Sequence, residues 1–154
     1  MPAIRPEPVD SPDARLLLAE YQAEVRRRWS GPPPVEPLPA EAPADLELAP
    51  PDGVFLLARL DGRPAGCAGV RALGPGTAEL KRLYVRPSAR GHGLGRLLLA
   101  AAEDAARGIG HARLRLDTMA ELAEARTLYA AAGYVDIEPY NTNPYAAHWL
   151  EKAL

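Results

Sequence analysis

Apolar residues recur with helical spacing in three stretches of the chain. The first stretch begins at Ser11 and Pro12, a favourable N-cap and first-turn pair, and runs to about Trp29. The second follows a glycine-rich turn and contains Leu94, Leu97, Leu98, Ala101, Ala102 and Ala105. The third contains Leu122, Ala125, Leu128 and Tyr129 and stops at Gly133. Each stretch predicts one amphipathic helix.

Short runs of alternating or continuous apolar residues predict strands between these helices. Val54–Leu60 and Pro64–Arg71 are joined by Asp61-Gly62, the preferred dipeptide of a two-residue hairpin turn. Four further runs have strand character: Thr77–Val85, Ala112–Asp117, Tyr134–Ile137 and Ala146–Lys152. The order of elements is therefore helix, antiparallel strands, helix, strand, helix and strands.

This order predicts an α/β (α+β) fold with a mixed, mainly antiparallel sheet flanked by helices. The strand–helix–strand unit at its centre implies a right-handed crossover between parallel strands. The length of 154 residues fits a single domain over 1–154. Between the first helix and the first hairpin, the proline-dense segment Gly31–Pro51 predicts an extended loop, with a short helical turn near Ala44–Leu48.

Composition narrows the classes of partner. The net charge of −2 predicts neither a nucleic-acid partner nor a membrane partner, and no apolar run approaches the roughly 18 residues of a membrane span. The single Cys67 cannot form an internal disulfide and offers no metal cluster, so no metal is expected. We therefore expect a cytoplasmic protein.

The glycine-rich turn Arg90–Gly95 is the strongest candidate for a ligand site. It lies between a predicted strand and a predicted helix, where unpaired backbone N–H groups and the helix dipole favour an anion. Its glycines permit a close backbone approach, and Arg90 and Arg96 flank it. Arg96 stands where a dinucleotide fingerprint needs Gly, and the Lys-Ser/Thr of a P-loop is missing.

Two motifs in this chain resemble the GCN5-related N-acetyltransferase (GNAT) family, of the small bacterial type. Arg90, Gly93 and Gly95 form R-x-x-G-x-G, which is similar to the family's acetyl-CoA pyrophosphate loop, and Leu83–Pro87 resembles the end of its fourth strand. Ala125–Tyr134 resembles the family's A-x-x-L-Y-x-x-x-G-[FY] pattern. The resemblance covers roughly residues 54–137.

The resemblance implies transfer of an acetyl group from the cosubstrate acetyl-CoA to a primary amine of a small molecule or protein, by direct attack in a ternary complex. It implies no metal. The cofactor-binding residues that it implies are Leu83, Tyr84, Val85, Arg90, Gly91, His92, Gly93, Leu94, Gly95 and Arg96.

Two catalytic residues follow from the same resemblance. Tyr129 stands at the position of the family's Tyr, which points at the thioester sulfur, so we predict that it protonates the leaving thiolate. A backbone amide near Val85 is the expected oxyanion donor. Glu79, six residues before Val85, is the candidate general base; a water chain, or an ordinary solvated role for Glu79, is the alternative.

The chain departs from the family at one position, and the acceptor site stays open. Leu122 occupies the place of an Asn that contacts the pantetheine arm, and Asp117 or Thr118 is a candidate replacement. By resemblance, the first helix, the proline-rich loop and the last strands line the acceptor site, and a homodimer remains open. The alternative reading in another functional class is a catalytically silent acyl-CoA-binding sensor module.

Overall fold

The computed structural model describes residues 2–32 and 43–154. In chain order its helices and strands are β1 (Ala3–Pro6), α1 (Pro12–Arg28), β2 (Gly53–Leu60), β3 (Arg63–Gly74), β4 (Thr77–Val85), α2 (Leu94–Gly108), β5 (Arg113–Thr118), α3 (Ala123–Ala131), β6 (Val135–Asp136) and β7 (His148–Ala153). The strands form one seven-stranded sheet in the order β1-β2-β3-β4-β5-β7-β6. This mixed α/β architecture is the predicted fold class.

The sheet is antiparallel at every pairing except that of β4 with β5. Helix α2 makes the crossover between these two parallel strands, as the spacing of elements predicts. Their pairing covers only Thr77–Glu79 of β4 and Arg113–Arg115 of β5. Beyond it the carboxyl ends of the two strands are not paired with each other, which opens a cleft in the middle of the sheet.

The two faces of the sheet pack against different helices. In β2, Phe55 and Leu57 belong to the apolar cluster with α1, whereas Leu56 and Ala58 belong to the cluster with α2. Side chains of a strand alternate between its faces, so a run of buried residues can fill both clusters. Tyr129 of α3 packs in the α2 cluster. The sheet is therefore covered by α1 on one face and by α2 and α3 on the other.

A bulge in β4 reverses the alternation of its side chains before the strand ends. Arg82 has φ 60°, and Cys67 pairs with Tyr84 while Gly69 pairs with Lys81. Three steps on β4 thus oppose two on β3, which is the geometry of a β-bulge. Leu80, before the bulge, packs on the α2 side, and Tyr84, after it, packs on the α1 side.

Local sequence signals account for the start of α1 and for the turn between β2 and β3. The Ser11 hydroxyl accepts a hydrogen bond from Ala14 N–H at 3.1 Å, which confirms the predicted N-cap. Asp61 and Gly62 both have positive φ, at 52° and 78°, as the favoured two-residue hairpin turn requires.

The structure adds one strand to the predicted elements and defines the predicted helical turn before β2. Strand β1 was not predicted, because Ala3–Pro6 is a short edge strand held by backbone pairing to Leu56–Arg59 rather than by an apolar pattern. Residues 33–42 of the proline-rich loop lie outside the described residues. The predicted helical turn is a 3-10 helix at Pro43–Leu48, and Leu48 is buried against Gly69.

Candidate active site

Two neighbouring cavities lie where β4 and β5 diverge. The inner cavity lies between the strands and is lined by residues of β4, β5, α1, α3 and the segment before β7. The outer cleft runs from the end of β4 along the glycine-rich turn to α3. The residues that line both are Tyr21, Val25, Leu83, Leu122 and Ala125. The two cavities are therefore neighbours that share part of one wall.

The glycine-rich turn presents the start of α2 to the outer cleft. Gly91 and Gly93 have φ of 86° and 73°, in the left-handed region that favours glycine. Gly93 is the N-cap of α2 and carries no side chain that could occupy the first amides. The first helical hydrogen bond here joins Leu97 N–H to the Gly93 carbonyl at 3.2 Å. The preceding amides are thus available to an anion.

Arginines supply positive charge on this turn. Arg90 donates from Nε to the Val85 carbonyl at 2.9 Å and from Nη2 to Glu24 at 2.7 Å, which fixes its guanidinium beside the cleft. The Arg96 guanidinium lies over Gly93, where Nη2 would be 3.5 Å from a Cβ atom. Arg86 instead pairs with Glu20 at 3.0 Å and does not line the cleft.

The structure brings together all but one of the sequence-predicted cofactor residues. His92 is exposed and does not line the outer cleft. The others lie along it: Leu83, Tyr84, Val85, Arg90, Gly91, Gly93, Leu94, Gly95 and Arg96. A Cβ at Gly95 would lie 3.4 Å from Leu128 of α3, an ordinary contact distance, so packing against α3 alone does not require glycine there.

Tyr129 lines the inner cavity from α3. It is 6% exposed, and its ring packs edge-on against Tyr134 with centroids 5.8 Å apart. Burial raises the pKa of the Tyr129 hydroxyl above its ordinary value, and the nearby Tyr21 and Asp117 add to this rise. The hydroxyl therefore stays protonated at neutral pH and can act as a proton donor.

Glu79 lines the inner cavity from β4, and both of its carboxylate oxygens have partners. Arg71 Nε donates to one oxygen at 2.8 Å, and the Tyr140 hydroxyl donates to the other at 2.8 Å. Glu79 is 2% exposed, so the alternative of a solvated residue at a strand start is excluded. Burial, followed by the charge of Glu79, raises the pKa of Tyr140.

A second carboxylate, Asp117, lines the inner cavity from the end of β5. Its oxygens accept hydrogen bonds from the side-chain amides of Asn141, at 2.6 Å, and Asn143, at 3.2 Å. Leu122, which stands in place of the family's Asn, lies where the two cavities meet. Asp117 and Thr118 both line the inner cavity but not the outer cleft.

Sequence reasoning missed two residues that line the inner cavity, Gln22 and Asn143, and two that hydrogen-bond to its carboxylates, Tyr140 and Asn141. Gln22 gave no signal because it is one polar position within an amphipathic helix, and the structure buries it at 8% exposure. Tyr140, Asn141 and Asn143 lie in an irregular segment, where no periodicity indicates which side chains turn inward. Two asparagines close together in the sequence, Asn141 and Asn143, were the one sign of hydrogen-bonding side chains in this segment.

The described part of the chain contains neither a metal-binding cluster nor a helix that could span a membrane. Within residues 2–32 and 43–154, no group of three or more His, Cys, Asp and Glu side chains could hold a metal ion. Over the same ranges, every helix is too short or too polar to cross a membrane.

Comparisons with known proteins agree with the geometry. The model of the acetyltransferase (GNAT) family matches residues 18–134, more than half of the chain. An uncharacterised N-acetyltransferase of Schizosaccharomyces pombe is 36% identical over 139 residues, covering 89% of this chain and 83% of that protein. An IAA acetyltransferase of Azospirillum brasilense is 39% identical over 115 residues, covering 71% of this chain and 74% of that protein.

A solved structure has the same fold. It is a GNAT family acetyltransferase from Elizabethkingia anophelis with acetyl-CoA bound, and its TM-score to this chain is 0.69 at 18% identity. The match covers 99% of this chain and 98% of that one. At this level of identity the likeness concerns the fold.

Proposed function

The chain belongs to the GNAT acetyltransferase family, and from this premise we propose that it transfers the acetyl group of acetyl-CoA to a primary amine. The acceptor is a small molecule or a peptide, and the amine attacks directly in a ternary complex. The observation that carries this proposal is that the outer cleft, which contains the glycine-rich turn, shares five lining residues with the inner cavity that contains Tyr129. Residues 1–154 act in this proposal as a single domain.

Acetyl-CoA fits the outer cleft by the chemistry of its walls. The free amides at the start of α2, together with Arg90 and Arg96, suit a pyrophosphate. Leu83, Val85 and Leu128 supply an apolar wall for the thioester arm. His92 is exposed and is not needed for this binding mode.

The reaction requires two proton movements around one bond exchange. The acceptor ammonium first loses a proton, for which Glu79, directly or through water, is the proposed base. The amine nitrogen then forms a bond to the acetyl carbon, and the backbone amide near Val85 is the proposed donor to the oxyanion. The carbon–sulfur bond breaks, and the leaving thiolate takes the proton of Tyr129. The nitrogen, now bonded to the acetyl carbon, gives up a second proton that restores the Tyr129 hydroxyl, so the ammonium loses two protons in all, one to Glu79 and one to the thiol of CoA.

Replacing Tyr129 by Phe tests the proposed acid. We expect kcat to fall by about 10²–10⁴-fold, the usual contribution of a general acid, because the thiolate then leaves without a proton. The dissociation constant of acetyl-CoA should stay within about twofold, since the ring that packs on Tyr134 is retained. Release of free CoA thiol with an amine panel and calorimetric titration of acetyl-CoA measure these two quantities.

Tyr134→Phe is the matched control. The Tyr134 hydroxyl donates to the buried Glu103 at 2.8 Å and lines neither cavity. Its loss should lower the free energy of unfolding by about 1–3 kcal/mol and leave kcat within about twofold. Equal kcat losses in both variants would show that packing, not proton donation, explains the effect at Tyr129.

A further inference from the structure

Lys81 places a primary amine of the protein in the inner cavity. Lysine occurs at two positions of the chain, Lys81 and Lys152. Lys81 lines the inner cavity together with Glu79 and Tyr129, the proposed base and acid. Its Nζ lies 3.8 Å from Oε1 of Glu79. The protein therefore carries the functional group of an acceptor in the same cavity as the residues that are proposed to act on one.

Strand β4 places Lys81 where the sheet is open. Glu79 and Lys81 are two residues apart and both precede the bulge at Arg82, so their side chains lie on the same face of the strand. The pairing of β4 with β5 ends at Glu79. Lys81 thus lies just beyond the last paired residue, between the proposed base and Val85, near which the proposed oxyanion donor lies.

The contact with Glu79 is loose. A separation of 3.8 Å is longer than a hydrogen bond, and Arg71 already donates to the same carboxylate oxygen at 2.8 Å. The Lys81 side chain is 30% exposed, and its four-carbon stem is flexible. The ion pair therefore does not fix the amine in one position.

The second lysine lies in a structural contact instead. Lys152 Nζ donates to both carboxylate oxygens of Glu103, at 3.0 and 3.1 Å, and lies 5.7 Å from the centroid of the Tyr134 ring. Glu103 is 6% exposed, and Lys152 lines neither cavity. Lys152 is thus an internal control, because it is an amine of the same protein that lies outside the cavity of the proposed acid and base.

We propose that Lys81 is a self-acetylation site, which takes the acetyl group of acetyl-CoA bound to the same chain. This proposal rests on the acetyl-transfer function proposed above and adds a second activity, the modification of the protein by itself. Lys81 is the acceptor when no external amine is bound. Acetylation converts its ammonium into a neutral acetamide and so removes one positive charge from the wall of the inner cavity.

The transfer to Lys81 uses the same bond exchange as transfer to an external amine. The ammonium of Lys81 first gives one proton to Glu79. Its nitrogen then bonds to the acetyl carbon, and the electron pair of the carbon–sulfur bond leaves with the sulfur. The thiolate takes the proton of Tyr129, and the second proton of the nitrogen restores the Tyr129 hydroxyl. The products are an acetamide on Lys81 and the thiol of CoA.

Mass spectrometry of the full-length protein, incubated with acetyl-CoA and no amine, tests the proposal. We expect the intact mass to increase by one acetyl group per chain and peptide mapping to locate that group on Lys81. Acetylation of Lys81 should be at least about 100-fold faster than that of Lys152, because an amine held beside the reacting groups has a high effective concentration. The first-order rate constant should stay the same when the protein is diluted about tenfold, since the transfer occurs within one chain.

Three variants separate enzymatic transfer from chemistry in solution. Lys81→Arg should lose the modification, whereas Lys152→Arg, the matched control, should keep the wild-type rate at Lys81. Both changes remove an amine and keep the positive charge. Gly93→Val should lose acetyl-CoA binding, because Gly93 has positive φ at the start of α2, and should therefore acetylate Lys81 no faster than Lys152.

The outcomes distinguish failure of this proposal from failure of the proposed function. Equal acetylation of the two lysines, or the wild-type rate at Lys81 in folded Gly93→Val, would overturn self-acetylation, because the reaction would then occur in solution. A rate constant that rises in proportion to protein concentration would also overturn it, since the transfer would occur between chains. A protein that acetylates an external amine but not Lys81 would overturn the self-acetylation alone. A folded protein that does not bind acetyl-CoA would overturn both proposals.

Discussion

At the scale of single residues, the two carboxylates that line the inner cavity differ in their hydrogen-bond partners. Glu79 is held by a cation, Arg71, and by the hydroxyl of Tyr140, whereas Asp117 is held by two neutral amides. An ion-paired carboxylate attracts a second cation weakly, but it can accept a proton that arrives through a hydrogen bond. Glu79 is therefore kept as the proposed base, and its contact with Arg71 fixes the position of the carboxylate.

Replacing Glu79 by Gln tests the proposed base. We expect kcat to fall by about 10²-fold or more, the lower part of the range for general-base catalysis, with the KM of acetyl-CoA unchanged. The dependence of kcat/KM on pH should change shape, because one of the groups that control it has been removed. Kinetics between pH 6 and 10, with an amine that gives turnover in the panel, measure this effect.

Tyr140→Phe is the control for Glu79→Gln. It removes the hydrogen bond to Glu79 but keeps the carboxylate and its contact with Arg71. We expect a loss of activity well below that of Glu79→Gln, because the carboxylate is retained. If Glu79→Gln keeps the wild-type rate and profile, a water chain or another group removes the proton.

The sequence predicts residues whose roles depend on local motifs and misses those assembled by the fold. Tyr129 and the turn glycines could be placed because a fixed spacing links them to one helix or one turn. Gln22, Asn141 and Asn143 come from distant parts of the chain. Only tertiary packing places Gln22 in the wall of the inner cavity and the two asparagines against Asp117. The pairing of Glu79 with Arg71 across two strands was likewise absent from any motif.

At the scale of elements, an ion pair and several hydrogen bonds join the end of α1 to the start of α3 beside the outer cleft. Arg28, in the last turn of α1, forms an ion pair with Glu124 and donates to the Glu121 carbonyl at 2.6 Å. Ser30 N–H donates to the Glu121 carboxylate at 2.9 Å. These contacts join the end of α1 to the start of α3, and Glu124 lines the outer cleft.

The ion pair between Arg28 and Glu124 predicts that the protein loses stability in acid. The hydrogen bond from Arg28 is the main cause that lowers the pKa of Glu124 from 4.5 to about 2. Because the folded-state pKa is the lower one, the stabilisation is present above about pH 4.5 and is lost as the pH falls toward 2. Its size is at most about 1 kcal/mol, since Glu124 is 62% exposed and solvent screens the pair.

Urea unfolding of Glu124→Gln between pH 7 and pH 2 checks this prediction. The variant should be less stable than the wild type at pH 7, and the difference should shrink as the pH falls through the range from 4.5 to 2. Glu138→Gln, at an exposed position, should show no such pH-dependent difference. A difference between Glu124→Gln and the wild type that stays constant with pH would mean that the pair does not titrate as described.

Most elements were predictable because their signals are local. The N-cap at Ser11, the Asp61-Gly62 turn and the stop of α3 at Gly133 each fix a boundary within a few residues. Strand β1 was not predictable, since it contains one large apolar residue, Ile4, and depends on its partner β2. The β4 bulge at Arg82 could not be predicted either, because the residue with positive φ is not a glycine.

At the scale of the whole molecule, the site exists because two parallel strands pair over a short length and then separate. The bulge in β4 and the early end of the β4–β5 pairing leave space that α1, α3 and the segment before β7 enclose. The mixed sheet could be predicted from the order of elements, but the cleft could not, since it depends on where pairing stops.

The most direct measurement is calorimetric titration of acetyl-CoA into the full-length protein, its Gly93→Val variant and its Gly108→Ala variant. We predict micromolar binding to the wild type. We also predict at least about 100-fold weaker binding to Gly93→Val, because valine rarely adopts φ near 73° and its side chain stands at the start of α2. Gly108, at the end of α2, has open space around it, so Gly108→Ala should bind as the wild type does.

Circular dichroism of each variant establishes that it is folded before the titration is interpreted. Binding to the wild type and to Gly108→Ala, with loss in folded Gly93→Val, is the result expected if the turn binds the pyrophosphate of acetyl-CoA. No binding to the folded wild type, or equal binding to Gly93→Val, would contradict acetyl-CoA-dependent transfer at this cleft.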